Sequence, residues 1–285
     1  MKFDGNRAWG DATRAIAANR EVLLVMAGVF FFLPALAAAL FLSGYQSQMQ
    51  ANLAALSAAE PGDTAVLQPF LRSYARVAPY LLGLLLINAA GYMAMLALLT
   101  DRRRPTVGEA MGIALRCLPA LIGTILVFVA GYFLALIPLG LLLGGLIAVA
   151  GKATAMTAGV IAVLGLLALV ATRLSLTLPV IVIEGQHNPL SALGRSWRIS
   201  AGNGWRLFAF YLLLVIAYLV IALSLTAVTK LAVLPLGGGE PETIISGAVS
   251  GLIGAVAAVV LTAILVAVHR QLSGPSPDPE GRPFR

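Results

Sequence analysis

Residues 205–229 read WRLFAFYLLLVIAYLVIALSLTAVT, and between Arg206 and Lys230 no side chain is charged. As an α-helix this uncharged run covers about 34 Å at about 1.5 Å per residue, more than the roughly 30 Å hydrocarbon core of a bilayer. A backbone surrounded by lipid must satisfy its N–H and C=O groups internally, and a helix does so without a neighbour. The segment is predicted to cross a membrane.

Working outward with the same ruler, the chain offers further apolar stretches of spanning length at 22–43, 79–100, 118–149, 154–183 and 243–268, which with 205–229 makes about six. The third is longer than one crossing needs; Pro138 and Gly140 interrupt it, and it is read as one long kinked helix. Gly151 and Lys152 leave only a tight turn before the fourth, whereas 44–78, with Gln46, Gln48, Gln50, Glu60, Pro61, Gly62 and Asp63, is expected to be a polar loop. The first span follows a charged stretch and exceeds the apolar core of a signal peptide, so it is read as an uncleaved anchor. Its Ala35, Ala37, Ala38 and Ala39 form a surface for helix packing. Composition agrees: 60% of residues are hydrophobic and 11% charged, against roughly 45–50% and 25% in soluble domains. An integral membrane domain is assigned to 1–270, and a disordered cytoplasmic tail to the Gly, Pro, Ser and Asp-rich 271–285.

The formal net charge of +7 is unevenly placed. Of the 19 Lys and Arg, fourteen flank the ends shared with the termini, four (Arg72, Arg76, Lys152, Lys230) flank the other ends, and Arg173 lies within a span. Basic residues stay in the cytoplasm when short loops insert, so both termini are expected there, in a bacterial inner membrane. Basic patches beside spans suit anionic headgroups; no basic stretch with interleaved aromatics points to nucleic acid.

Three short amphipathic stretches each precede a pair of spans. Trp9, Ala12 and Ile16, then Val107, Ala110 and Ala114, then Leu190, Leu193 and Trp197, all fall at i, i+3 and i+7, one face of a helix lying along the membrane surface. Thr106 with Glu109 after Pro105 makes a capping box, Asn188 can cap a helix beginning at Pro189, and Gly202 and Gly204 end the third stretch. The predicted fold is all-α: a polytopic membrane protein of three repeats, each a surface helix plus a helical hairpin.

The stretch from Arg173 to Arg206, RLSLTLPVIVIEGQHNPLSALGRSWRISAGNGWR, holds the candidate binding residues. Ser191, Arg195 and Arg198 lie at i, i+4 and i+7, opposite the face of Leu190, Leu193 and Trp197. Two guanidiniums one turn apart beside an interfacial tryptophan can hold a lipid phosphate by forked hydrogen bonds. The alternative is an interfacial helix whose solvated arginines only follow the topology rule. Arg173, near the inner boundary of its span, either snorkels to the headgroups or pairs with Glu184 or an anion. Pro179 allows local deformation between Arg173 and Glu184, and Asn88, within the second span, is read as a helix-packing contact.

No constellation for catalysis is visible. One cysteine, Cys117, cannot form an internal disulfide; His187 and His269 stand alone, with no partner to make either a general base, and no metal site or cofactor is expected. There is no phosphate loop and no Gly-x-Ser-x-Gly, and Gly237, Gly238 and Gly239 read only as a loop.

The run from Leu174 to Arg206 resembles the membrane domain of some glycerophosphoryl diester phosphodiesterases and related bacterial inner-membrane proteins. Those proteins show a span ending in a Leu-Pro-Val type run, an acidic residue, and a Pro-Leu-Ala-Leu-x-x-Ser-Trp-Arg helix. The matching positions are Pro179, Glu184, Pro189, Leu190, Ala192, Leu193, Ser196, Trp197 and Arg198. The resemblance implies a membrane domain and a link to lipid or envelope homeostasis. It does not bring the phosphodiesterase activity, which in such enzymes belongs to a separate soluble barrel with histidines and metal-binding carboxylates. The function expected is a non-enzymatic membrane protein that binds lipid, through anionic headgroups, or a membrane protein partner; a transporter or permease component is the alternative.

Overall fold

A computed structural model describes residues 2–58, 67–100, 105–236 and 239–273. Among them no strand forms, and six helices are long and apolar enough to cross a membrane: Arg20–Tyr45, Leu67–Leu98, Val107–Ile147, Ala153–Ile183, Gly204–Val233 and Pro241–Ser273. The chain is an all-α, polytopic membrane protein.

The helices are α1 (Gly5–Ala18), α2 (Arg20–Ala27), α3 (Leu33–Ala58), α4 (Leu67–Leu98), α5 (Val107–Ala150), α6 (Lys152–Leu174), α7 (Thr177–Ile183), α8 (Pro189–Ile199), α9 (Gly204–Val233) and α10 (Glu240–Ser273). A π-helical turn, Gly28–Phe32, joins α2 to α3 just before Pro34. Such a turn lets the helix continue into a residue that cannot supply an N–H. α5 runs unbroken through Pro119 and Pro138, starts on the Thr106–Glu109 capping box, and ends at Gly151, whose φ of 84° is open to glycine.

Two expectations are corrected, and the deformation expected around Pro179 is found. The polar stretch after the first span is not a loop up to residue 78, because α3 continues to Ala58 and α4 begins at Leu67. Gln, Ala, Leu and Met are good helix formers, so polarity ends the span without ending the helix. Glu60, Pro61, Gly62 and Asp63 lie outside the described residues, as does the tail from 274 on. The second surface stretch is helical but fused to its span as the first turns of α5, whereas α1 and α8 are separate helices. The fourth span breaks at Ser175–Leu176. Pro179 has no N–H for the Ser175 carbonyl four residues back and its ring collides with it, so α6 stops and α7 restarts.

α10 is the central post, packed on α1, α3, α4 and α9; α5 bridges α4 and α6, and α6 meets α9. Small residues permit the closest approach: a Cβ on Gly247 of α10 would sit 2.5 Å from the Cβ of Ala39, and one on Gly251 would sit 3.4 Å from that of Ala35. The core gathers toward one end, where Leu23, Met26, Met93, Leu96, Val180, Ile181, Ile264 and Val268 are buried together. Beyond it the helices turn large apolar side chains such as Leu134, Leu141, Val160 and Leu213 outward, a surface suited to lipid.

That end also collects the chain's polar anchors. Asp4 N donates to Gln271 Oε1 at 3.3 Å and Gln271 Nε2 returns a bond to the Asp4 carbonyl at 3.2 Å, so the N-terminal residues and the end of α10 share one side. Phe3 N donates to Asn203 Oδ1 at 2.8 Å, and Arg270 donates to the Leu99 carbonyl at the end of α4.

Candidate functional site

The geometry at this end begins with the break in the fourth span. A helix leaves its last carbonyls without partners, and inside a membrane protein these need donors. Hydroxyls supply them: Ser175 Oγ donates to the Thr172 carbonyl at 2.9 Å and Thr177 Oγ1 to the Leu174 carbonyl at 2.7 Å. The Arg173 carbonyl accepts from Ser196 Oγ at 2.9 Å and Ser200 Oγ at 3.2 Å, which ties α6 to α8. α8 starts where expected, with Asn188 Oδ1 accepting from Leu190 N and Ser191 N and Pro189 in the first turn. Pro189 seats on Gly123 of α5, where a Cβ would come within 2.7 Å of its ring.

The face of α8 that meets protein is Ala192, Ser196 and Ile199, not Leu190, Leu193 and Trp197. Leu190 and Trp197 are exposed, which leaves that side for lipid. The i, i+3, i+7 pattern therefore marks a membrane-facing stripe, while the protein-facing stripe is made of small residues that hydropathy alone does not single out.

Glu184, at the end of α7, does not pair with Arg173. Its Oε2 accepts from Arg195 Nε at 3.0 Å and its Oε1 lies 3.0 Å from His269 Nε2. His269 is only 3% exposed, so the expectation that it stands alone is overturned. Its Nδ1 lies 3.5 Å from Ser273 Oγ, but that hydroxyl donates to the His269 carbonyl at 2.6 Å, an ordinary helical back-bond. Arg173 instead donates from Nη1 to the Ser200 carbonyl at 3.1 Å and stacks 5.4 Å from the Trp197 ring centroid. Asn88 donates to the Leu84 carbonyl of its own helix at 2.8 Å. Ser191 is exposed, and His187 is exposed in the segment between α7 and α8.

Between α8 and the end of α10 lies a groove of about 290 Å³, lined by Arg195, Arg198, Ile199, Ala201, Asn203, Leu272 and Ser273. It brings together the two predicted arginines and leaves out Ser191 and Trp197. Among the described residues the Arg198 guanidinium has no hydrogen-bond or ion-pair partner, whereas Arg195 is fixed through Nε. The groups sequence reasoning missed are His269, Asn203 and Ser273. A histidine closing the apolar run AILVAVH was the available signal, since an ionisable group at a span's edge needs a partner. No group of three or more metal-ligating side chains occurs among the described residues.

Residues 148–273 match the family model for the membrane domain of glycerophosphoryl diester phosphodiesterase, which supports the resemblance read from the sequence and extends it over α6 to α10. Every lining residue of the groove, and Glu184 and His269 behind it, lies within the matched stretch. No curated protein and no solved structure matches the chain.

Proposed function

We propose that this chain is a non-catalytic multi-pass protein of the bacterial inner membrane, with both termini cytoplasmic, whose basic end binds the headgroups of anionic lipids in the service of lipid or envelope homeostasis. The observation that carries the reading is the groove in which Arg195 and the unpaired guanidinium of Arg198 converge. A guanidinium with nothing to neutralise it at the end of a membrane bundle is suited to the negative surface of the adjoining leaflet. Trp197 and Trp205, 44% and 79% exposed, flank it as residues that favour the headgroup layer. The family match adds a membrane domain only. Among the described residues there is no sheet or barrel to carry phosphodiesterase chemistry. A membrane protein partner at the same face is compatible with this reading.

The test is lipid binding by the purified protein in phosphatidylcholine nanodiscs doped with phosphatidylglycerol. Replacing Arg195 and Arg198 together by alanine is expected to weaken retention of the anionic lipid by about tenfold or more, since hydrogen bonds to charged groups contribute about 1.5–3 kcal/mol each. Unchanged retention would reject the reading, and solute flux into vesicles would favour the transporter alternative.

A further inference from the structure

We infer that the groove between α8 and the end of α10 is a single-phosphate site in which Arg195 and Arg198 are the ligands and Glu184, pinned by His269, is the residue that aims Arg195. The inference rests on the anionic-headgroup reading and names where and how the phosphate is held.

Two arginines one helical turn apart do not by themselves make a site. Each side chain carries about 2 kcal/mol of rotamer entropy, and two like charges spread apart unless something holds them. Here one of the two is held. Arg195 spends Nε on Glu184, 3.0 Å away, which leaves the terminal amino groups of the fork unassigned beside the groove. Glu184 is itself fixed from the opposite side by buried His269 on α10. The chain of contacts thus runs from the post of the bundle through α7 to the groove wall on α8. Arg198, one turn further on, supplies the second arm, and Ser273 and Asn203 add polar groups to the lining. Arg195 faces the carboxylate directly and Arg270 stands beside His269, so with Arg198 the arginines outnumber the one carboxylate and an anion is not repelled.

The sign of one substitution separates this from plain electrostatics. If Glu184 acted only as a nearby negative charge, its removal would tighten anion binding. If it aims Arg195, its removal loosens binding although a repulsive charge has gone. The experiment uses the full chain in phosphatidylcholine nanodiscs, titrated with short-chain phosphatidylglycerol and, in a parallel arm, with inorganic phosphate. Glu184→Ala and the isosteric Glu184→Gln are compared with Arg198→Ala, each checked for an unchanged melting profile. The expected result is a loss of about three- to tenfold for Glu184→Ala, a smaller loss for Glu184→Gln, and about tenfold for Arg198→Ala.

Tighter binding in either Glu184 variant, with loss in Arg198→Ala, would overturn the aiming role and leave the headgroup reading standing. No change in Arg198→Ala would overturn both. Competition by inorganic phosphate at the affinity of the lipid would support the phosphate site while assigning it to a free ion and removing the lipid reading.

Discussion

Arg173 and Ser200 are bonded in both directions. The guanidinium donates from Nη1 to the Ser200 carbonyl at 3.1 Å, and the Ser200 hydroxyl donates to the Arg173 carbonyl at 3.2 Å. One residue thus uses its charge to cap a turn after α8 while its backbone is capped in return, and Ser196 adds a second donor to the same carbonyl. This explains how an arginine near the end of a span is tolerated: its charge ends on a carbonyl and on the Trp197 ring.

The first prediction concerns that clasp. Replacing Ser196 and Ser200 together by alanine leaves the Arg173 carbonyl without its hydroxyl donors, and Ser196 is fully buried. The expected cost is about 1–2 kcal/mol, seen as a lower melting temperature in detergent. Ser191→Ala, on the exposed side of α8, is the control and should stay within about 0.5 kcal/mol of the parent. A double variant as stable as the control would show that the clasp contributes nothing.

The second prediction tests the break between α6 and α7. Pro179→Ala restores an N–H for the Ser175 carbonyl, so the fourth span should close into one continuous helix. Glu184 sits five residues further on, and straightening the segment would swing it away from Arg195 and His269. The expected signature is stronger hydrogen-exchange protection over 177–179 together with weaker anionic-lipid retention. Protection without a change in retention would separate the break from the groove.

These two cases mark what was legible in the amino-acid order. The spans, the caps at Thr106 and Asn188 and the disruptive role of Pro179 are local features, set by residues within a turn or a span of one another, and they read directly. The partner of His269 is not local, since Glu184 lies 85 positions away. No periodicity connects the two, and only the assembled bundle brings them together. The inward face of α8 carries no such signal, because burial in a tightly packed bundle selects small residues such as Ala192 and Ser196, which hydropathy does not single out. The extension of α3 to Ala58 was missed because a drop in hydropathy was read as the end of a helix.

The third prediction concerns close packing between α3 and α10. Gly247→Ala places a methyl group 2.5 Å from the Ala39 Cβ, a distance that forces the helices apart. The expected loss is about 1–3 kcal/mol, as for other overpacked interfaces. Ala39→Gly combined with Gly247→Ala should recover most of it, because the methyl group then moves from one helix to the other. Failure of the pair to recover would mean that Ala39 is not what limits the approach.

The fourth prediction is topological. Asp4 and Gln271 touch, so α1 and the end of α10 must face the same side, which in the proposed orientation is the cytoplasm. Asn52 and Ser73, joined at 3.0 Å beyond the first span and near the start of α4, would then lie on the opposite face. In a Cys117→Ser background, Asn52→Cys should react with a membrane-impermeant maleimide in intact spheroplasts, whereas Arg7→Cys should react only after permeabilisation. Cys117 is buried at 3% exposure, so its replacement by serine should not disturb either readout. Labelling of both positions from the same side would break the six-span arrangement, because Arg7 and Asn52 are separated by the first crossing alone.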